Sequence, residues 1–346
     1  MKKTTKKTSS LLTRFEAFTS KYKLILSVVG AIVLVGFPQL LTTDYLVRVF
    51  TMVGIYMALA MSLNMLTGNL GLMSMGHAGF VGIGAYTGAI LITKVGGWQI
   101  LTAAPIGALI AGVLGLIIAL PAIRLSNSHL AIVTLGFGEI MRIVFLNWSS
   151  VTGGALGIKD IPKPMILGYE LTLQNKGYLY YIIVVVLLFA FITWAISRSK
   201  FGRAFAAIKH DQLAATMMGI NITNYKVLAF VISAMLCGFV GTFYGQMARY
   251  IDSNSFSSDM SIMIVSILVT GGLGTIRGPV LGALLLITMP EMFRFLEGYR
   301  FILYGVLLVI MMRFRPEGLL GFKSTLPYAL PRGTQKYLDV EKPVRF

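Results

Sequence analysis

"YLYYIIVVVLLFAFITWAIS", residues 178–197, contains no charged side chain. Crossing the hydrocarbon core of a bilayer takes about 20 apolar residues, at about 1.5 Å of rise over about 30 Å. This stretch meets that length, and the chain supplies similar runs repeatedly. Hydrophobic residues make up 56% of the 346 residues, charged residues only 12%, and the mean hydropathy is +0.79. A soluble protein of this size needs about twice that charge to cover its surface. The sequence predicts an all-α integral membrane protein, a polytopic helical bundle of about 8–10 spans with glycine-broken helices.

Candidate spans run over 24–42, 45–66, 70–93, 100–122, 129–147, 178–197, 226–248, 261–276, 279–296 and 299–314. The first apolar run, Leu24 to Leu41, is longer than a secretory h-region and no A-x-A-like site follows it, so it reads as a retained span. Residues 1–23 form a basic N-terminal tail, 24–322 the transmembrane domain, and 323–346 a C-terminal tail of mixed charge with three prolines. The net charge of +17 is concentrated at Lys2, Lys3, Lys6, Lys7, Arg14, Lys21 and Lys23, between Arg198 and Lys209, and from Arg313 onward. Lysine and arginine beside spans mark the cytoplasmic side, so this is a positive-inside pattern and not a nucleic-acid surface. About ten crossings that start inside also end inside, which puts both termini and Arg124 in the cytoplasm. The connections 148–177 and 249–260 then face outward, the second with Arg249, Asp252 and Asp259 summing to −1. A single cysteine, Cys237, excludes an intramolecular disulfide and a cysteine-based metal cluster. No metal site is expected.

Many of the 37 glycines fall inside spans, as in "GHAGFVGIGAY" (76–86) and "GGLGTIRGPVLGA" (271–283). Small residues let helix backbones approach closely in lipid. Glycine-broken segments also mark half-helices whose freed backbone groups must be buried or line a cavity. Both readings stand, as does an internal duplication relating the two stretches.

Between two apolar runs lies the basic segment 199–225, whose core continues to Lys226 as "FGRAFAAIKHDQLAATMMGINITNYK" (201–226). Phe201, Phe205 and Ile208, at spacings of four and three, share one helix face, with Arg203 and Lys209 off it. Asp211 stands where an N-cap belongs. Leu213, Ala214, Met217 and Met218 make a second short apolar face, and Gly219 suits a C′ position that closes it. So short a helix is unstable alone in water, so a surface must hold it. That surface is either membrane lipid at the headgroup level or a groove on a partner protein.

"AATMMG" (214–219) resembles the A-A-x-x-x-G core of the "EAA" loop of binding-protein-dependent ABC importer permeases, with Leu213 where that family has glutamate. The resemblance runs over about residues 45–321. "LNMLTGNLGLMSMGHAGFVGIGAY" (63–86), "HLAIVTLGFGEIMRIVFLNWSSVTGGALGI" (129–158), "SKFGRAFAAIKHDQLAATMMGIN" (199–221) and "GGLGTIRGPVLGA" (271–283) are together similar to the LivM-type permeases of high-affinity branched-chain amino-acid importers. Related permeases for urea or short amides share the plan; "AIVTLGFGEI" and "TGG…GI" resemble the amino-acid branch more closely.

The resemblance implies a transport subunit of a bacterial cytoplasmic (inner) membrane, with no catalytic residues and no bound cofactor. ATP and Mg would be used by two separate ATPase subunits (LivG- and LivF-type), and this chain has no G-x-x-x-x-G-K-[ST] phosphate loop. A second permease subunit (LivH-type) and a solute-binding protein complete the implied assembly. The outward connection 148–177, with Trp148, Pro162 and Pro164, is the implied platform for the binding protein. Gly202, Arg203, Asp211, Ala214, Ala215, Met218 and Gly219 are the implied residues of a cytoplasmic coupling helix that seats in an ATPase cleft. Substrate would pass by alternating access.

Asn64, Ser74, His77 and Glu139 are candidate pathway residues, each with a structural reading beside it. His77 suits a packed, hydrogen-bonded position equally well, and Asn64 suits a link between helices. Glu139 and Arg142, three apart, can pair on one helix face, as can Glu291, Arg294 and Glu297 near a span end, where snorkelling also accounts for them. An ion-coupled secondary transporter is the rival reading, poorly furnished with intramembrane carboxylates. A membrane enzyme is the other, but H-E-x-x-H, paired aspartates and G-x-S-x-G do not occur within spans.

Overall fold

Where apolar sequence runs without interruption, the backbone bonds to itself as α-helix, the open-chain solution that hydrocarbon permits. The computed structural model describes residues 36–292 except 37, 42, 97, 123–126 and 167, together with 305, 309, 318 and 319. The tails, Arg124, most of the expected spans 24–42 and 299–314, and the side chains of Glu291, Arg294 and Glu297 lie outside the described residues. The helices are α1 (Asp44–Asn64), α2 (His77–Ile90), α3 (Ile100–Ala122), α4 (Asn127–Asn147), α5 (Ser149–Thr152), α6 (Gly177–Arg198), α7 (Lys200–His210), α8 (Gln212–Met217), α9 (Ile222–Ala248), α10 (Ser258–Gly271) and α11 (Arg277–Met292). π-helical turns extend α1 to Asn69 and α2 to Val95. A small antiparallel hairpin, β1 (Met165–Ile166) with β2 (Tyr169–Glu170), decorates the 148–177 connection. The architecture is the helical membrane bundle read from the sequence. Among the described residues, six helical stretches are long and apolar enough to cross a bilayer: those of α1, α2, α3, α4, α6 and α9.

Helix α9 is the axis of the bundle, packed against α2 and α3 and touching α1. Its approach is set by glycine. A Cβ on Gly84 of α2 would lie 2.0 Å from the Gly238 carbonyl oxygen of α9, and one on Gly238 would lie 2.5 Å from Ala111 Cβ of α3. The Thr242 hydroxyl donates to the Gly84 carbonyl at 3.0 Å across the same seam. Aromatic side chains fill the wider gaps: Phe80 contacts Phe137 and Phe230, and Tyr86 stacks on Phe145 at 4.5 Å.

Two expected spans are built differently from the hydropathy reading. The 70–93 span is helical only from His77; residues 71–76 are non-helical, beginning at Gly71 with φ +80°. The expected 261–276 span is α10, which starts at Ser258 and stops at Gly271 after 14 residues, about 21 Å. Unpaired backbone groups at such breaks are tolerated only when the protein bonds them. Here it does so with side chains from neighbouring helices. The Met75 N–H donates to Thr134 Oγ1 of α4 at 2.9 Å, and the Ala78 N–H donates to Ser261 Oγ of α10 at 2.9 Å. The first turns of α2 and α10 therefore meet inside the bundle.

Glu139 of α4 holds the start of α10. Its carboxylate accepts from Ser258 Oγ in the first turn of α10 and pairs with Arg142 Nε at 2.7 Å. Ser257, the N-cap residue, makes no side-chain cap of its own, and Glu139 adds to Asp259 of the first turn the negative charge that suits a helix N-terminus.

Two substitutions test this architecture through thermal unfolding in detergent. Gly84→Val must force α2 from α9 and should cost about 1–3 kcal/mol, the usual penalty of overpacking. A midpoint equal to the parent's would show that the seam is not close-packed. Glu139→Ala should cost about 0.5–1.5 kcal/mol by removing the acceptor shared by Arg142 and Ser258 at the α10 start. Glu139→Gln, still an acceptor for Ser258, should cost less; equal losses would mean that the Ser258 contact contributes nothing.

Candidate functional site

Two features stand out: a helical hairpin at one end of the bundle, and a chain of polar side chains leading inward from it. The hairpin begins where Ser199 caps α7, its hydroxyl accepting from the Phe201 N–H at 3.1 Å. Ala204, Phe205 and Ile208 are buried, and Tyr225 of α9 meets both Phe201 and Phe205 edge-on at 6.2 Å. Gly202 lies in the first turn of α7 against the end of α6, and Arg203 turns Nη1 toward the Arg198 carbonyl at 3.5 Å.

Asp211 breaks α7 from α8 and caps the second helix, accepting from the N–H groups of Leu213 (2.8 Å) and Ala214 (3.0 Å). Gly219 closes it with φ +80°, while the Gly219 N–H reaches the Thr216 carbonyl (2.9 Å) and the Ile220 N–H reaches the Ala215 carbonyl (3.1 Å). That pair of bonds is a Schellman closure. Between these caps Ala215 faces inward. Leu213, Met217 and Met218 stand 69%, 78% and 82% exposed, with Ala214 beside them. The result is a rigidly capped six-residue helix that displays an apolar face.

The polar chain begins on the hairpin at Lys209. Its Nζ donates to the Gly68 carbonyl, in the π turn that ends α1, at 2.6 Å. Burial lowers the Lys209 pKa from the ordinary ammonium value. Beside Gly68, Asn64 is 1% exposed and bonded at both ends of its amide. Nδ2 donates to the Thr275 carbonyl (2.9 Å), and Oδ1 accepts from the Gly274 N–H (2.8 Å). Thr275 Oγ1 in turn donates to the Gly272 carbonyl and accepts from the Gly278 N–H, fixing the turn between α10 and α11.

Deeper in the bundle, His77 Nδ1 meets Ser74 Oγ at 3.2 Å and Nε2 meets Ser233 Oγ at 2.9 Å. Because Ser233 gives its own proton to the Ser62 carbonyl at 2.8 Å, it accepts from His77, and the proton of the neutral imidazole is on Nε2. Both ring nitrogens are thus engaged and the residue is buried. The four candidate pathway residues do not form one cluster. Ser74 and His77 sit together at the start of α2, Asn64 clamps the α10–α11 turn, and Glu139 holds the opposite end of α10. Helix α10 connects the three places. Sequence reasoning named Lys209 only as a cation off the apolar face of its helix and passed over Thr134, Ser233, Ser258, Ser261 and Thr275, whose sequence signal is a hydroxyl in or beside an apolar helix. Among the described residues, no three histidine, cysteine, aspartate or glutamate side chains gather as metal ligands.

Residues 45–312 match the family described as "Branched-chain amino acid transport system / permease component". The chain is 34% identical over 334 residues to the high-affinity branched-chain amino acid transport system permease protein LivM of Salmonella typhimurium, covering 90% of this chain and 77% of that protein. It is 35% identical to LivM of Escherichia coli over the same shares. The permease protein LivH of Escherichia coli is 26% identical, over 77% of this chain and 91% of that protein. No solved structure matches. A bundle of membrane-length helices, broken inside at α2 and α10 and matched over most of its length, belongs to the family of branched-chain amino-acid transport system permease components.

Proposed function

We propose that this chain is a membrane permease subunit of a binding-protein-dependent ABC importer that moves leucine, isoleucine and valine inward across the bacterial cytoplasmic membrane. The observation that carries this reading is α8: a helix capped at both ends whose exposed face is Leu213, Met217 and Met218. A short, stiff, apolar face of this kind suits helix-in-groove docking. The occupant of the other side is an ATPase subunit, which supplies ATP and Mg chemistry on its own chain. A second, LivH-like permease subunit and a solute-binding protein complete the assembly. Both termini and the α7–α8 hairpin are cytoplasmic, and the 148–177 connection faces the binding protein.

In this reading the chain reorients its helices and carries out no chemical step. Closure of the ATPase dimer moves α8, and the membrane helices expose their interior alternately to each side. A branched-chain amino acid presents a carboxylate, an ammonium and an apolar side chain. The meeting of the α2 and α10 N-termini supplies partial positive charge that suits the carboxylate as it passes. Ser74, His77 and Ser261 line that meeting point and Glu139 stands beside it, while apolar walls suit the side chain.

Purification from the native membrane in mild detergent tests the assembly. ATPase subunits and a second permease should accompany the full chain, and the ATPases should be lost from a variant lacking residues 211–219. A chain that emerges alone or as a homo-oligomer, under conditions where a control ABC complex survives, would overturn the reading. A finer test is Gly219→Val. No neighbour lies within 4 Å of a Cβ there, so only the left-handed backbone resists the substitution. The strain of about 1–2 kcal/mol should loosen the α8 closure. Uptake of labelled leucine should fall while the amount of protein in the membrane is unchanged; normal uptake would remove α8 from the coupling route.

A further inference from the structure

The hairpin that carries α8 touches the rest of the bundle through Lys209 in a way that its apolar packing does not require. The Lys209 stem lies 3.1 Å from where a Cβ on Gly71 would stand, and its Nζ lies 3.7 Å from one on Gly274. Glycines at 71 and 274 thus leave the space in which this side chain lies. Its ammonium bonds the Gly68 carbonyl, a group in the last turn of an extended α1, where partial negative charge gathers. Gly68 is itself pressed against Asn64 and Gly274: a Cβ there would lie 1.9 Å from Asn64 Oδ1 and 2.5 Å from the Gly274 nitrogen. Asn64 then grips the α10–α11 turn through Gly274 and Thr275.

From that turn α10 runs to Ser261 and Ser258, which hold the start of α2 and Glu139. The hydrogen-bonded and packed contacts are continuous from the hairpin to the inner ends of both broken helices.

We propose that Lys209 is a positioning residue that transmits movement of the α7–α8 hairpin to α10, by way of the Gly68 carbonyl, Asn64 and the Gly272–Thr275 turn. The inference rests on the coupling role given to α8 above. Lys209 is not part of the docking face: its side chain is exposed along the stem but turns its Nζ to the Gly68 carbonyl of α1, whereas Leu213, Met217 and Met218 lie exposed on α8. Loss of Lys209 therefore separates transmission from docking.

The test uses the assembled importer in proteoliposomes, with ATP hydrolysis and labelled leucine uptake read on the same preparation. Lys209→Met should keep its ATPase subunits and continue to hydrolyse ATP, while leucine moved per ATP falls roughly three- to tenfold. Lys209→Arg, which can still donate to the Gly68 carbonyl, should restore most of that ratio. An unchanged ratio in Lys209→Met, loss of the ATPase subunits from it, or failure of the arginine to rescue would overturn the inference. Should the methionine variant itself not accumulate in the membrane, Lys209→Gln decides in its place by the same readouts, because it keeps a polar end but falls short of Gly68. The parent complex keeps the two readings apart: no ATP-driven uptake there is a failure of the proposed function, whereas a coupled Lys209→Met beside a working parent is a failure of this inference alone.

Discussion

A peptide group without a partner in hydrocarbon costs several kcal/mol, and two helices of this bundle, α2 and α10, are shorter than the spans that hydropathy draws for them. Much of the remaining design follows from that constraint. The chain entering α2 spends six non-helical residues inside the protein, and Thr134 and Ser261 take up two of the N–H groups there, those of Met75 and Ala78. The start of α10 leans on Glu139, and its far end is closed by Asn64 and Thr275. These side chains come from three different helices and a turn. The breaks can exist only because α1, α4 and α10 are brought together around them. The bundle is consequently cross-linked at the places where a transport protein has its weakest backbone.

The same placement explains why the polar residues in these spans are so well satisfied. His77 is bonded on both ring nitrogens, Asn64 on both amide atoms, and Glu139 on both oxygens. Each side chain therefore favours one arrangement of its neighbours. A conformational change in this region has to exchange one bonded arrangement for another; it cannot proceed by gradual stretching.

How much of this was legible in sequence depended on the range of each interaction. The α8 caps are local: Asp211 bonds residues two and three ahead, and Gly219 needs only its own φ, so both could be read from the order of residues. The Glu139–Arg142 pair is likewise an i,i+3 contact. The breaks at 71–76 and 272–276 were visible as glycine-rich stretches, yet hydropathy ran 70–93 together as one span because the buried non-helical residues are as apolar as a helix. What brings Ser258 to Glu139, Ser233 to His77 or Lys209 to Gly68 is tertiary: these pairs are 119, 156 and 141 residues apart. Lys209 in particular looked like one more cation of a basic loop, since nothing near it in sequence distinguishes a tether from a solvated charge.

The seam of α2, α3 and α9 has a consequence for motion. Ordinary packed helices slide by exchanging side-chain rotamers, which is how shear movements spread small displacements. At Gly84 and Gly238 no rotatable side chain other than Thr242 stands between the backbones, so little is available to re-pack, and a shift along the contact drives main chain into main chain or into the Ala111 methyl group. These three helices are therefore the part of the bundle that resists sliding most strongly. By contrast, α10, the end of α1 and the hairpin are tied to their neighbours by directional hydrogen bonds, which can be exchanged singly.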